Sequence, residues 1–178
     1  MTLPDRDEGE VNMNVYLVQH AEAKSEQEDP LRPLSAKGRE EITRVSAYLS
    51  QLNIPVTKIF HSTKLRAKQT AEILFERLKP GRGVSEADGL SPLDEPAIWA
   101  ERLRDLPDGV ILVGHLPHLA RLASLLLCGT ADKNIVSFRM AGIVCLKRDD
   151  AGSWSMQWML MPDVVIGERG TGYACDGL

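Results

Sequence analysis

Val15-Tyr16-Leu17-Val18-Gln19-His20-Ala21-Glu22 is an apolar run that delivers a histidine where the run stops. Its β-branched and aromatic residues, bounded by polar ones, predict a buried strand. In open α/β sheets, ligands gather at the carboxyl ends of such strands, which makes His20 a candidate for chemistry. The same arrangement returns in Val110-Ile111-Leu112-Val113-Gly114-His115. Two histidines, each ending its own buried strand, can face one another across a single crevice.

A third segment, Phe60-His61-Ser62-Thr63-Lys64-Leu65-Arg66-Ala67-Lys68-Gln69-Thr70, breaks an apolar strand at Ser62 and opens a helix with Arg66 in its first turn. Hydroxyls, the amides of a helix N-terminus and a guanidinium together make a cradle for a phosphate. The three segments, in this order and strand context, resemble the histidine phosphatase superfamily. The short chain, the Glu22 segment and the stretch Arg32-Pro33-Leu34-Ser35-x-x-Gly38 look most like its SixA-type phosphohistidine phosphatase branch. The resemblance runs from about Met13 to Met161, nearly the whole chain.

Composition narrows the class. The 178 residues suit one domain, and an apolar share of 43% is that of an ordinary globular protein. A net charge of -4 argues against a nucleic-acid binder, which needs a basic face. Cys128, Cys145 and Cys175 are odd in number and form no C-x-x-C pair, which fits a reducing cytoplasm and neither a disulfide framework nor a zinc site. No apolar run is long enough to span a bilayer, and Met1 to Glu10 is too acidic for a signal peptide. The expectation is a cytoplasmic protein that engages no nucleic acid and no membrane.

Strand and helix patterns alternate along the chain. Residues 1–12, rich in Asp, Glu, Gly and Pro, read as a disordered leader, and Met13 is an alternative start. Residues 13–162 read as the domain and 163–178 as a mobile tail. Ser35 is the expected N-cap of a helix with Ile42, Val45, Leu49 and Leu52 at helical spacing. A strand over Lys58–His61, a helix from Lys64 to about Leu78 and a short strand near Val84 follow. A third helix carries Ile98, Leu103 and Leu106, and a fourth runs from about Pro117 to Leu127. Ile135–Lys147 and Ser153–Met161 are expected as strands joined by a turn at 149–152. Trp154 and Trp158, at even spacing on the last strand, are expected to share a core face. The pattern predicts an α/β fold: a three-layer α/β/α sandwich around a mainly parallel sheet, without a lid domain.

A neutral imidazole is a competent nucleophile toward phosphorus, and a covalent intermediate splits one hard step into two. The resemblance implies that His20 is the residue transiently phosphorylated, while Arg66 and His115 bind the phosphoryl group, His115 as a second donor if protonated. Gln19, Ser62 and Glu22 are the candidates for further contacts with substrate. One position departs from the family, which has Arg immediately before the nucleophile where this chain has Gln19. A neutral hydrogen bond is roughly half as strong as a charge-assisted one. Its lost charge is worth on the order of ten- to a thousandfold in rate. Lys24, Arg32, Lys64 and Lys68 are near enough in sequence to replace it, and Gln19→Arg is expected to raise the rate.

A general acid is harder to find. Glu22, Glu86 and Asp88 are the carboxylates in reach, each equally readable as solvated loop charge. An alcohol leaving group needs an acid, whereas imidazole protonates unaided near pKa ~6.5, so a missing acid points to phosphohistidine. His118 can lie beside the cleft, His61 reads as structural, and Gln69 and Thr70 read as packing or supporting residues. No metal and no cofactor is called for. His20-Ala21-Glu22 matches the H-x-E of zinc deaminases, but their P-C-x-x-C is missing. A metal held by His20 and His115 would be repelled by Arg66. The expected partner is a phosphorylated protein or a small phosphorylated substrate. The alternatives are a phosphate- or phosphoprotein-binding domain without turnover, and a broad small-molecule phosphomonoesterase.

Overall fold

The computed structural model describes residues 12–165. The first strand, β1 (Met13–Gln19), is buried at every position but Asn14, and its side chains alternate between two cores. Tyr16 and Val18 pack against Ile42, Val45 and Leu49 of α1 (Ala36–Gln51) and Ala71 and Leu74 of α2 (Leu65–Leu78). Val15 and Leu17 pack against Trp99 of α3 (Pro96–Arg102) and Leu119 and Leu122 of α4 (His118–Cys128). A strand covered on both faces reads as a continuous apolar run, which is why β1 shows no polar alternation. Each such side chain contributes roughly 1.5–3 kcal/mol by leaving water.

The remaining strands are β2 (Lys58–His61), β3 (Val84–Glu86), β4 (Val110–Gly114), β5 (Ile143–Arg148) and β6 (Trp154–Leu160). They form one six-stranded sheet in the order β3-β2-β4-β1-β5-β6. The pairs β3–β2, β2–β4 and β4–β1 are parallel, while β5 and β6 add antiparallel on the far side. This is the expected three-layer α/β/α sandwich with a mainly parallel sheet. Among the described residues every helix and strand of the sheet belongs to it. The leader, apart from Asn12, and the tail beyond Val165 lie outside the described residues, as does Cys175.

Local chemistry sets the helix that frames the site. Ser35 caps α1 as expected, its hydroxyl oxygen accepting from the Gly38 amide at 3.0 Å. Gly38 is there for space: a Cβ would overlap the Glu22 carbonyl, so only glycine lets α1 approach the chain leaving β1. Leu52 is the C-cap of α1 and largely exposed, not a core position.

Three expectations are corrected. Residues 135–142 are a loop, because pairing with β1 ends at Val18↔Ile143 and the chain turns back through Ala141 at φ 59. α3 stops at Arg102, and Leu103 is buried beyond its end. Trp154 and Trp158 face opposite cores. The β5–β6 register shifts at Cys145/Leu146, so Gln157 is skipped and the alternation changes phase. Trp158 therefore packs on Tyr16, with ring centroids 5.8 Å apart, while Trp154 joins the α3–α4 side.

Candidate active site

The parallel pairing of β1 with β4 sets Gln19 opposite Gly114, so the next residue on each strand leaves the sheet at the same level. Those residues are His20 and His115. Their ring centroids are 4.9 Å apart at 55°, and the His20 amide bonds the Gly114 carbonyl at 3.1 Å. β2 pairs with β4 at His61↔Val113, which brings Ser62 to the same edge, its amide on the Val113 carbonyl at 3.1 Å. The Ser62 hydroxyl is hydrogen-bonded to Nε2 of His115. α2 begins at Leu65 and carries Arg66 over this edge, where its Nε–H donates to Nε2 of His20 at 3.2 Å.

Hydrogen bonding assigns the His20 tautomer. Nδ1 lies 2.7 Å from the Ala21 carbonyl, which can only accept, so Nδ1 carries the proton. The lone pair is then on Nε2, where Arg66 donates. Burial pushes the His20 pKa down to about 4, and the nearby Arg66 and Arg32 charges add to the fall. Burial, followed by the charges of His20, Arg66 and Lys64, takes His115 to about 3. Both shifts favour the neutral imidazole over the cation. Arg66 is half-buried and its pKa is lowered by burial and by Arg32, with no carboxylate paired to it among the described residues. A guanidinium remains charged under any such shift. A half-buried guanidinium without a carboxylate counter-ion among the described residues is suited to an anion.

Gln69 and Thr70 do more than pack. The Thr70 hydroxyl donates to the Arg66 carbonyl at 2.7 Å and accepts from the Ala21 amide at 3.0 Å, tying the chain after His20 to the helix bearing Arg66. Gln69 Oε1 accepts from the Leu34 amide at 2.8 Å, which docks the 24–33 loop on the same helix turn. Both join backbone segments that sequence neighbours do not reveal.

Gln19 lies beside the pair and also lines a cleft of about 320 Å³ with Glu22, Lys37, Arg139, Met140 and Asp163. Its Oε1 is buried without a partner. Glu22 accepts from the Ser35 hydroxyl at 2.8 Å and pairs with Lys37 at 3.1 Å, and both bonds lower its pKa. Asp88 pairs with Arg102 at 2.9 Å, which lowers its pKa in turn. Both carboxylates are therefore engaged and ionised. Glu86 ends β3 opposite His61. His61 turns its Nδ1 to the Ser62 carbonyl at 2.9 Å. His118 is fully buried at the start of α4, with neither ring nitrogen partnered. Among the described residues no group of His, Cys, Asp and Glu is arranged to hold a metal ion, and no helix is long and apolar enough to cross a membrane. A concavity of about 790 Å³ between α3, α4 and the β5–β6 turn is lined by no histidine or cysteine.

Comparison with known proteins adds three relatives. The sequence profile of the histidine phosphatase superfamily (branch 1) matches residues 15–94, the segment that holds His20 and Arg66. An uncharacterized protein of Picosynechococcus is 35% identical over 143 residues, covering 76% of this chain and 85% of that one. Phosphohistidine phosphatase SixA of Escherichia coli is 23% identical over 155 residues, covering 84% of this chain and 94% of SixA. The solved structure of the protein histidine phosphatase SixA complexed with tungstate superposes with a TM-score of 0.76 at 23% identity, covering 85% of this chain and 98% of that one.

Proposed function

Because the chain belongs to the histidine phosphatase superfamily, we propose that it is a phosphatase that works through a phosphorylated His20 and takes protein-borne phosphohistidine as its substrate. The observation that carries this reading is the His20 tautomer. Its proton is held on Nδ1 by Ala21, and its Nε2 lone pair faces Arg66. The Nε2 lone pair attacks phosphorus, the bond from phosphorus to the leaving group breaks, and the leaving group keeps the electron pair and takes a proton from solvent. Arg66 transfers its N–H from Nε2 to a phosphoryl oxygen, and His115 with Ser62 supplies further donors. Such fixed donors act on the charge that develops on the transferring group. Water then attacks the phosphohistidine, the P–N bond breaks, its electron pair returns to Nε2, and inorganic phosphate leaves. No step calls for a metal ion.

The leaving group supports this substrate class. Glu22 and Asp88 are ionised and held by Lys37 and Arg102, so neither offers a proton. An imidazole leaving group protonates near pKa ~6.5 without help. The similarity to a phosphohistidine phosphatase, and the tungstate carried by a SixA structure as a tetrahedral stand-in for phosphate, support the same reading.

The test is to incubate the chain with phosphohistidine proteins, phosphoramidate and a panel of phosphate monoesters, with and without chelator, and to trap an acid-labile phosphoenzyme. Dephosphorylation that survives chelator and disappears in His20→Ala is the expected result. Preference for a small monoester overturns the substrate, and activity that needs added metal overturns the mechanism. Uncharged Gln19 favours one rival, a phosphate-binding domain without turnover, which binds phosphate and forms no phosphoenzyme.

A further inference from the structure

We propose that Arg32 supplies the guanidinium that residue 19 lacks, so that the phosphoryl group is held between Arg32 and Arg66. The inference rests on the phosphatase reading above. Of the cations nearby, Lys68 pairs with Glu72 at 3.9 Å and Arg139 with Asp163 at 2.7 Å. Arg32 has no carboxylate partner among the described residues. Its Nε–H donates to the Lys24 carbonyl at 3.3 Å, which leaves the two terminal nitrogens of the fork for a ligand.

The backbone is shaped to hold it there. Arg32 has φ 50, a left-handed conformation that a side chain makes costly. The loop maintains it through Arg32 N–H on the Asp29 carbonyl at 2.9 Å and Lys24 N–H on the Pro33 carbonyl at 2.8 Å. A bridge between Ala23 and Leu34 closes the loop. The Leu34 amide on Gln69 Oε1 then fixes the loop to α2, one turn from Arg66. Strained backbone of this kind persists where its surroundings over-determine it, and it is concentrated at ligand clamps.

Charge points the same way. Arg32 acts on both His20 and Arg66, lowering the pKa of each after the larger effect of burial. Lys64 acts on His115, whereas Lys24 acts on Glu28. Two guanidinium groups felt at one imidazole, with no carboxylate between them, repel until an anion sits there. A dianionic phosphoryl group converts that repulsion into two charge-assisted bonds.

Arg32→Gln is expected to lower kcat/KM for an aryl phosphate on the order of a hundredfold and to weaken inhibition by inorganic phosphate in parallel. Adding Gln19→Arg to Arg32→Gln should restore most of the loss, because a guanidinium returns to the site from the neighbouring strand. Lys68→Ala, on the solvent side of α2, should leave activity unchanged. An Arg32→Gln variant within about twofold of the parent overturns the inference. So does a loss that follows a lowered melting temperature and is not restored by Gln19→Arg, since that is a structural role. Phosphate affinity, read by NMR, separates this inference from the parent reading. A chain that binds phosphate but forms no phosphoenzyme loses the phosphatase reading, while the Arg32→Gln effect on affinity still decides the role of Arg32. A chain that neither binds nor turns over overturns both.

Discussion

Arg66 and His20 are 46 residues apart in the chain, yet the guanidinium Nε–H of one points at the unprotonated Nε2 of the other at 3.2 Å. The bond is possible only because the Ala21 carbonyl holds the imidazole proton on Nδ1, 2.7 Å away. One backbone carbonyl thus decides which nitrogen of His20 is available, and one helix turn decides what meets it. Burial, with the nearby Arg66 and Arg32 charges, favours the neutral imidazole.

Arg66→Lys tests whether the fork or only the charge is needed. Lysine keeps the charge but loses the planar pair of donors and cannot hold Nε2 and a phosphoryl oxygen in turn. We expect kcat/KM for an aryl phosphate to fall on the order of a hundredfold with melting temperature nearly unchanged. A lysine variant as active as the parent shows that charge alone suffices there.

The pH profile follows from the direction of the His20 shift. Protonation removes the Nε2 lone pair, and the folded protein holds that event down to about pH 4. Because kcat/KM reports free-enzyme groups, the acid limb should lie near 4, after dividing out the substrate's own ionisation. A limb with its midpoint near ~6.5, the value of a solvated imidazole, contradicts a dry, cation-flanked His20.

His118→Leu should stabilise the protein. His118 is fully buried with both ring nitrogens unpartnered, and burying such groups costs on the order of 1–3 kcal/mol. Burial lowers its pKa from 6.5 to about 4, so between those values the unfolded chain binds more protons than the folded one. Stability from this residue is therefore complete above pH 6.5 and lost as pH falls toward 4. Leucine should raise the melting temperature most at pH 5 and flatten the slope across that window. A variant that melts lower at every pH shows that the ring makes an essential polar contact.

Gly38→Ala sets two effects against each other. Alanine is favoured over glycine inside a helix by up to ~1 kcal/mol. Here, however, the added Cβ overlaps the Glu22 carbonyl, a backbone atom that cannot swing away. Overpacking of that kind costs ~1–3 kcal/mol, so the clash outweighs the helical gain and the denaturation midpoint should fall. A rise would show that α1 can slide away from the chain after β1.

Much of this architecture was legible because it is local. The apolar runs ending in His20 and His115 identify two strands, and Ser35 marks the start of α1 three residues before the amide it caps. Arg66 in the first turn of α2 follows from the break at Ser62. Where the reading failed, something outside the local window intervened. The phase of Trp154 and Trp158 depended on a bulge that only pairing with β5 creates. The loop at 135–142 has strand-like residues, but Val136 and Phe138 are buried against the α3–α4 core without a strand partner.

The sequence by itself determined the strand-helix alternation, the order of its motifs and the chemical types gathered at one sheet edge, because periodicity and capping act over a few residues. Only the tertiary structure decided which groups meet. It set the 4.9 Å approach of His20 and His115 through the Gln19↔Gly114 register. It engaged Glu22 and Asp88 with cations and, among the described residues, left Arg32 without a carboxylate and His118 without a hydrogen-bond partner. Protonation and pairing depend on burial and on neighbours dozens of residues away, and those distances exist only once the layers have packed.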